Sequence, residues 1–238
     1  MRKGFFFLLF LFSCSLMLAA IDPFSYPVGT VILDAGHGGH DPGAVNAYSF
    51  TDGDVYERDI TLDIVKRLHA LLSVSHPGLQ IILTRDDDTF ISLADRCKIA
   101  YTTPLRPKTS ALFVSIHVNS AANRSAKGFE LLTKMQNKQV IFLDDETPPE
   151  NLAGFSSHTI PSLNRLLNNR NLVVAANFEQ AMTDSLMHMQ NRGVKEHNLW
   201  VLNGVRMPAV LVEVGFLSNE EDAKNLVSSQ YRQRLAQV

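Results

Sequence analysis

Two histidines stand in a glycine-rich stretch of the sequence, Gly36-His-Gly-Gly-His-Asp-Pro-Gly43. The apolar run 31–33 before it predicts a short buried strand, and the glycines with Pro42 predict a tight loop at its end. Three interpretations fit such a loop: a phosphate cradle, a structural turn and a metal site. A phosphate cradle needs glycines that open directly into a helix, whereas Asp41-Pro42 follows here. A structural turn needs no imidazole, so the pattern favours a metal site that includes His37.

Two further polar side chains interrupt or follow apolar runs that predict buried strands. His117 follows the run 111–116, and Glu213 lies inside Val210-Leu-Val-Glu-Val-Gly215. Ligands of open α/β sheets bind beyond the carboxyl ends of the strands, so we expect these side chains near His37. A charge inside an apolar strand is costly to bury unless it is paired or acts on a ligand. The alternatives are a buried ion pair for the glutamate and a hydrogen-bonded core histidine for His117.

A metal site at this edge needs a third protein ligand. A catalytic zinc site takes three protein ligands and leaves one position for water, and two histidines with a glutamate are one known set. Glu57 lies at the predicted start of a helix and suits that role, although a first-turn carboxylate also complements the helix dipole. Asp52, Asp54 and Asp59 have comparable spacing. The residues alone therefore leave this choice open.

Strands and helices alternate along most of the sequence. Apolar residues at helical spacing predict helices over 57–72, 92–101 and 173–190, and short apolar runs predict strands over 79–83, 111–118, 128–133, 199–202 and 208–215. Ser218, followed by Glu221, is typical of a capping box that opens a final helix. The alternation predicts the α/β class: a single domain with a mostly parallel or mixed central sheet flanked by helices.

The segment 135–171 differs in composition from the sequence around it. It is rich in Asn, Pro, Ser and acidic residues, among them the run Asp144-Asp-Glu-Thr-Pro-Pro-Glu150. It is too long for an ordinary connection, and long loops of this kind are usually functional or disordered. We therefore predict a polar insert at about 135–171 within one domain that spans 28–238.

Composition and charge limit the classes of partner. The chain has 238 residues, of which 45% are hydrophobic and 19% charged, and its formal net charge is -2. This length suffices for one sizeable core. Because there is no basic excess, the sequence predicts no nucleic-acid partner.

The N-terminus predicts export from the cytoplasm. The basic start 1–3, the apolar run 4–17 and the small residues before Ile21 are typical of a secretory signal peptide over 1–20. The apolar run is short for a membrane span, so we expect no span after signal removal and a periplasmic or secreted protein. An uncleaved anchor stays an alternative, as does a lipid anchor on Cys14, because 11–14 loosely resembles a lipobox. Cys97 is then the remaining thiol, and we predict a buried apolar residue there.

Five groups of residues occur in an order that is known from one enzyme family. They are Leu33-Asp-Ala-Gly-His-Gly-Gly-His-Asp-Pro-Gly43, Tyr56-Glu-Arg58, Leu83-Thr-Arg85 with Leu93 and Arg96, Ser115-Ile-His-Val-Asn119, and Val212-Glu-Val-Gly-Phe-Leu-Ser-Asn219. Together they are highly specific, although each alone is weak. From about residue 30 to its end, the chain resembles the zinc-dependent N-acetylmuramoyl-L-alanine amidases of the Amidase_3 family, the bacterial cell-separation amidases.

The resemblance implies a cofactor, a reaction and a set of site residues. It implies Zn²⁺ held by His37, Glu57 and His117, with Glu213 as the catalytic residue. It also implies hydrolysis of the amide bond between N-acetylmuramic acid and L-alanine in peptidoglycan, with release of stem peptides during cell-wall remodelling and division. Asp34 is then a candidate for orienting the metal ligands, although an ordinary turn residue is the alternative.

The other implications concern neighbouring residues and partners. Asn119 is a second candidate for orienting the ligands, whereas His40 falls at a variable position of the motif and is not expected to bind metal. Peptidoglycan is the implied partner of a monomeric enzyme, and some relatives need an activator protein that displaces an insert over the zinc. In this chain, 135–171 would either form such a lid or be a loop that leaves the enzyme active alone. The prolines of the segment favour the second.

The sequence leaves two alternative functions that the structure can test. One is a zinc-holding but inactive wall-binding or regulatory module, which loss of Glu213 would have indicated. The other is a wall peptidase with a penicillin-sensitive side activity, since Lys108-Thr-Ser110 and Ser162-Leu-Asn164 faintly resemble penicillin-binding boxes. The sequence has no Ser-x-x-Lys nucleophile box, which argues against the second rival.

Overall fold

The computed structural model describes residues 21–238, so the predicted signal peptide and Cys14 lie outside the described residues. The strands are β1 (Val28–Ala35), β2 (Val45–Ala47), β3 (Asp54–Tyr56), β4 (Gln80–Leu83), β5 (Ser110–Asn119), β6 (Phe129–Lys134), β7 (Asn191–His197) and β8 (Ala209–Phe216). The helices are α1 (Glu57–Ser75), α2 (Leu93–Thr102), α3 (Pro149–Phe155), α4 (Ile160–Ser185), α5 (Trp200–Gly204), α6 (Glu220–Leu226) and α7 (Ser229–Gln237). Over this part of the chain, every helix is too short or too polar to cross a lipid bilayer.

Six of the strands form one central sheet in the order β4-β1-β5-β8-β6-β7. β4, β1, β5 and β8 run parallel to one another, whereas β6 is antiparallel to β8 and parallel to β7. The predicted fold class is therefore confirmed: a single α/β domain whose mixed sheet is flanked by helices. Because the parallel strands share a direction, the carboxyl ends of β1, β5 and β8 meet at one edge of the sheet.

Helices cover both faces of the sheet, and the strands are accordingly apolar almost throughout. On one face Leu33, Val114 and Val212 pack with residues of α1, α4 and α7. On the other face Ile32, Phe113 and Leu211 pack with α2 and α5. Because side chains alternate along a strand, Asp34, Ser115, His117 and Glu213 lie on this second face, towards the carboxyl edge. These polar side chains of three neighbouring strands thus share one surface at that edge.

The segment 135–171 is helical from residue 149 onwards, apart from a short break, so it is not the continuous loop that the sequence favoured. It contains α3 and the first half of α4, a helix that begins at residue 160 and not at 173. The prolines do not break these helices, because Pro148 is the N-cap of α3 and Pro149 and Pro161 stand in first turns, where no intrahelical N–H is needed. The segment buries a small core of its own, formed by Phe24, Val140, Phe142, Phe155, Leu163 and Leu167.

The acidic run of this segment lies at the edge of the sheet opposite to the carboxyl ends. Asp144 pairs with Arg206, the residue that stands shortly before β8 begins. Glu146 binds Lys98 at 2.6 Å and the hydroxyl of Tyr101 at 2.5 Å, both in the second half of α2. These contacts place the acidic residues away from the candidate site, so they do not form a lid over it.

Two other local predictions were wrong for identifiable reasons. A helix, α5 (Trp200–Gly204), lies where a strand over 199–202 was predicted. The strand of this region is the more polar β7, which precedes α5 and lies at the edge of the sheet. Asn219, not Ser218, caps α6, because its side chain accepts from the backbone N–H groups of Glu221 and Asp222. The Ser218 hydroxyl instead accepts a hydrogen bond from the N–H of Ala121 at 3.0 Å.

We expect the small core under the segment 135–171 to contribute strongly to stability. Phe142 is fully buried, with ring centres 5.9 Å from Phe24 and 5.3 Å from Phe155. Phe142→Ala should lower the free energy of unfolding by about 3–5 kcal/mol, measured by urea denaturation, because it leaves a cavity. Ile141→Ala is the matched control, since that neighbouring side chain is 64% exposed. Equal stability of the two variants would contradict a packed segment.

Candidate metal centre and active site

His37 is presented by the loop that follows β1. Its backbone lies in the left-handed region at φ 63°, a conformation rare for a residue with a side chain. Gly36 before it is required by close approach, since a Cβ there would lie 2.4 Å from the ring of His117. The Nδ1 atom of His37 is 2.9 Å from the carboxylate of Asp41, which fixes the orientation of the ring. Nε2 is thereby directed to Glu57, at 3.1 Å.

Glu57 is the first residue of α1 and is 3% exposed. Its Oε1 accepts a hydrogen bond from the backbone N–H of Val118 at 2.9 Å, and its Oε2 accepts one from the N–H of Ala44 at 2.8 Å. Those two bonds hold the carboxylate in one orientation. Asp52, Asp54 and Asp59, its competitors in sequence, are exposed to solvent.

His117 completes the group from β5. Its Nδ1 is 3.0 Å from Oε1 of Glu57, and its ring centre is 4.9 Å from that of His37. One ligand atom from each of His37, Glu57 and His117 can be chosen so that all lie within 4.8 Å of one another. The three predicted metal ligands therefore lie together, although their role as ligands stays a prediction.

The charges in this cluster are coupled through Glu57. Burial raises the pKa of Glu57, but the hydrogen bonds from His117 and His37 outweigh burial and hold the pKa well below its usual value. Burial lowers the pKa of each imidazole, and the bonds to Glu57 outweigh it in turn, so both pKa values are raised. The carboxylate is thus ionised and each ring has a nitrogen directed at it, which is the donor set that a divalent cation needs.

This donor set fits zinc better than magnesium or calcium. Zinc prefers imidazole nitrogen and carboxylate oxygen in a tetrahedron, whereas magnesium and calcium prefer six or more oxygens. Ligands at ~2.0–2.1 Å from a tetrahedral metal lie ~3.3 Å apart. The separations of 3.1 Å and 3.0 Å between Glu57 and the two histidines are close to that value. Three protein ligands would leave a fourth position for water.

Glu213 lies beside the cluster on the adjacent strand β8, directly opposite His117. Its side chain is half-buried, and its Oε2 is buried without a hydrogen-bond partner among the described residues. Burial raises the pKa of Glu213 to about 7, with the nearby charge of His117 acting in the other direction. Among the described residues Glu213 forms no ion pair, so the alternative of a buried ion pair is wrong. An unpartnered carboxylate with a pKa near neutrality is suited to accept and return a proton.

Asp34 supports the loop backbone rather than a metal ligand. It is buried and accepts hydrogen bonds from Arg96 at 2.6 Å, Thr84 at 2.7 Å and Ser115 at 2.6 Å. Arg96 in turn donates to the carbonyl of His37 at 2.6 Å. Asp34 therefore acts on His37 through an arginine and the main chain, which differs from the direct orienting role predicted for it.

Neither Asn119 nor His40 contacts the cluster. The Asn119 amide donates to Glu130 at 2.8 Å, so it does not orient a histidine. His40 packs on Phe90 with ring centres 4.1 Å apart, as expected of a residue that does not bind the metal. Asp41, which bonds His37, was not predicted. An acidic residue four positions after His37 could have indicated this contact.

Cys97 agrees with its predicted role as a small buried residue. It is 4% exposed, and burial raises the pKa of its thiol to about 12. A thiol with so high a pKa is protonated at neutral pH and is a poor nucleophile or metal ligand.

We expect Gly43→Ala to disturb the metal centre. Gly43 has φ 67°, and a Cβ there would lie 2.6 Å from both Oε2 of Glu57 and Cδ2 of His37. The variant should bind zinc at least ~10-fold more weakly, in the range seen for residues that orient ligands, as measured by competition with a chromophoric chelator. Gly53→Ala is the matched control, since its φ is 90° but nothing lies within 4 Å of the added Cβ. The prediction fails if both variants bind zinc equally.

Comparison with known families agrees with this arrangement. Residues 31–238 match the family model described as Amidase_3: N-acetylmuramoyl-L-alanine amidase. A probable N-acetylmuramoyl-L-alanine amidase AmiB of Haemophilus influenzae is 33% identical over 251 aligned positions, which cover 98% of this chain and 54% of that protein. The N-acetylmuramoyl-L-alanine amidase LytC of Bacillus subtilis is 29% identical, and the match covers 88% of this chain and 34% of LytC. The chain thus spans about half or less of these two relatives.

Solved structures resemble most of the described fold. An N-acetylmuramoyl-L-alanine amidase from Clostridium difficile 630 superposes with a TM-score of 0.67 at 27% identity, covering 88% of this chain and 91% of that one. The CwlD amidase from Clostridioides difficile, solved in complex with the GerS lipoprotein, gives a TM-score of 0.60 at 27% identity, covering 88% of this chain and 93% of that one. Since the family model extends over nearly all of the described residues, this chain belongs to the Amidase_3 family of N-acetylmuramoyl-L-alanine amidases.

Proposed function

We propose that this chain is a zinc-dependent N-acetylmuramoyl-L-alanine amidase that cleaves the amide bond between the lactyl group of N-acetylmuramic acid and L-alanine in peptidoglycan. The observation that carries the proposal is the position of Glu213 on the strand next to that of His117. Its Oε2 is buried without a hydrogen-bond partner in the described part of the chain, beside the cluster of His37, Glu57 and His117. Family membership supplies the substrate class.

The chemistry divides between the metal and the protein. When bound by these three side chains, zinc lowers the pKa of water towards ~7 and polarises the amide carbonyl. Glu213 accepts the proton of the attacking water and then donates it to the nitrogen of the leaving L-alanine. Asp41 bonds Nδ1 of His37, so Nε2 is the nitrogen that would bind the metal. Arg96 holds the carbonyl of His37, which keeps the loop in its left-handed conformation.

Two rival functions have less support. An inactive regulatory module would not need Glu213 buried without a partner, since burying an unpaired carboxylate reduces stability. A penicillin-sensitive peptidase would need a serine whose hydroxyl bonds a base. The hydroxyl of Ser110 instead donates to the backbone carbonyl of Tyr26, and Ser162 lies in the first turn of α4.

We also propose export and a role in cell-wall remodelling and division. The support is the sequence of residues 1–20, together with the resemblance to cell-separation amidases. We expect that the monomeric enzyme does not need an activator to displace the segment 135–171, because the acidic run of that segment pairs with Arg206, Lys98 and Tyr101 at the opposite edge. An activator that acts elsewhere on the chain remains compatible with this proposal.

Mass spectrometry of digested peptidoglycan tests the reaction. Purified protein with one equivalent of zinc should release stem peptides that begin with L-alanine and leave glycans with free lactyl carboxylates. A chelator should abolish both products, and added zinc should restore them. Products cleaved within the stem peptide would instead indicate a peptidase, and the absence of any product would support the inactive module.

A further inference from the structure

A row of charged side chains continues across the sheet beyond the candidate active site. Glu213 lies directly opposite His117 on β5 and directly opposite Glu130 on β6. Side chains that lie opposite each other on neighbouring strands project from the same face. Glu130 is therefore next to Glu213, on the side away from the metal ligands.

Glu130 is held by two cations from β7. Its Oε2 accepts a hydrogen bond from Nε of Arg192 at 3.0 Å and another from Nζ of Lys195. Its Oε1 accepts one from Asn119. Burial raises the pKa of Glu130, but Lys195 and Arg192 outweigh burial and lower it, so the carboxylate is ionised. Two cations share this one carboxylate, so Glu130 alone does not neutralise both of them.

The cations are more exposed than the carboxylate that they share. The side chains of Arg192 and Lys195 are 27% and 37% exposed, against 8% for Glu130. The guanidinium carbon of Arg192 lies 4.9 Å from the ring centre of Phe216, which holds the group in place. Within residues 21–238, Arg192 hydrogen-bonds only through Nε. Its two Nη nitrogens are therefore available to bind an anion in the fork geometry that carboxylates prefer.

The order of groups along the row matches the order of groups in the proposed substrate. The amide carbonyl belongs at the metal ligands, and the leaving nitrogen belongs at Glu213, which protonates it. The peptide that begins at this nitrogen then continues in the direction of Glu130, Arg192 and Lys195. Peptidoglycan stem peptides carry free carboxylates, whereas the glycan carries none once its lactyl group is in the amide.

We propose that Arg192 and Lys195 form a binding site for a carboxylate of the stem peptide, on the leaving-group side of the scissile bond. This inference rests on the proposed amidase function. β7 is two strands from β8, which corresponds to ~10 Å at ~4.8 Å per strand. An extended peptide covers that distance in about three residues. The carboxylate therefore belongs to the second or third residue of the stem, counted from L-alanine.

Muramyl tripeptides of three kinds test the site: one with all carboxylates free, one amidated at the second residue and one amidated at the third. We expect the wild-type enzyme to cleave the free form about 10- to 100-fold better in kcat/KM than one of the amidated forms, mainly through KM, as for the loss of a charge-assisted hydrogen bond. The double variant Arg192→Gln/Lys195→Gln should lose this preference. Lys98→Gln, which removes a lysine paired with Glu146 at the opposite edge, should keep it.

Two further measurements test the carboxylate site independently of the folding of the double variant and of turnover. The triple variant Glu130→Gln/Arg192→Gln/Lys195→Gln should also lose the preference, and it avoids leaving a buried carboxylate unpaired if the double variant does not fold. Calorimetric binding to Glu213→Gln should show the same preference in Kd, without turnover.

Two outcomes would overturn the inference. One is a wild-type enzyme that cleaves all three peptides equally, which refutes the carboxylate site and leaves the amidase proposal intact. The other is a double variant that keeps the wild-type preference. Failure of the amidase proposal has a different signature: no peptide is cleaved, whereas binding to Glu213→Gln still reports on the carboxylate site.

Discussion

The variant Glu213→Gln should retain zinc and fold but lose turnover by about 10²–10⁴-fold, the usual loss when a general acid or base is removed. Glutamine preserves the shape of the side chain, but its amide cannot accept the proton of the attacking water. The rate of L-alanine-terminated peptide release from peptidoglycan measures the effect, and atomic absorption measures the zinc. Glu213 is half-buried and its Oε2 has no hydrogen-bond partner among the described residues, so this oxygen is not committed to a contact within the fold.

The stability of the same variant gives an independent check. A buried carboxylate without a partner destabilises the folded protein when it is charged, so an uncharged amide should leave the free energy of unfolding equal or raise it. Glu196→Gln is the matched control: it changes a glutamate of β7 whose carboxylate bonds Gln136 instead of facing the cluster. Turnover close to wild type in Glu213→Gln would rule out the role as general base. Loss of zinc in that variant would make Glu213 a metal ligand.

The sequence predicted the apolar strands of the sheet better than the polar edge strand β7. β1, β5 and β8 are continuous apolar runs because both of their faces are buried, and such runs are easy to find. β7 has the sequence Asn191-Arg-Gly-Val-Lys-Glu-His197, lies at the edge and was missed. Its charged residues Arg192 and Lys195 bind Glu130 in the row beside Glu213. The same two residues interrupt the apolar pattern by which a strand is predicted, and they form the proposed carboxylate site.

The helices of the segment 135–171 were missed for a different reason. Pro148, Pro149 and Pro161 were interpreted as helix breakers, although proline is favoured in the first turn of a helix. The asparagines were interpreted as loop residues. In the structure Asn164 is buried in α4 and bonds both the N–H and the carbonyl of Val140, and Asn171 bonds the N–H of Ala209. These tertiary partners cannot be inferred from local composition.

The candidate site was predictable where strand ends and a family motif coincide. The strand ends indicated His37, His117 and Glu213, but only the resemblance favoured Glu57 over the neighbouring aspartates. The structure brings Glu57 to the cluster through two backbone N–H groups that are distant in sequence, those of Ala44 and Val118. Spacing alone carries no information about such bonds, so the choice could not be made from residues.

His117→Ala and His37→Ala should each lower the zinc content from about one ion per chain to near none, with loss of amidase activity. Each variant removes one of three ligands and leaves two, which hold zinc much more weakly. The remaining protein should still fold, because Glu57 keeps its hydrogen bonds from the N–H groups of Ala44 and Val118 in either variant. Atomic absorption after dialysis measures the metal.

Thermal denaturation provides a second readout that does not depend on catalysis. An ion that binds only the folded state stabilises it by ~4 kcal/mol at 1,000 times its Kd, so added zinc should raise the Tm of the wild type. The same addition should leave the Tm of His117→Ala nearly unchanged. His40→Ala is the matched control, because His40 stands in the same loop but packs on Phe90 outside the cluster. It should retain zinc, activity and the rise in Tm.

The pattern across these variants decides between a metal centre and a structural cluster of hydrogen bonds. His117→Ala should lower the Tm of the zinc-free protein in either case, because it removes a hydrogen-bond partner of the buried Glu57 carboxylate. The response to zinc therefore discriminates. In a structural cluster, zinc would change the Tm of no variant, whereas in a metal centre the Tm difference between the wild type and His117→Ala should widen as zinc is added. Wild-type zinc content in both histidine variants would refute the assignment of His37, Glu57 and His117.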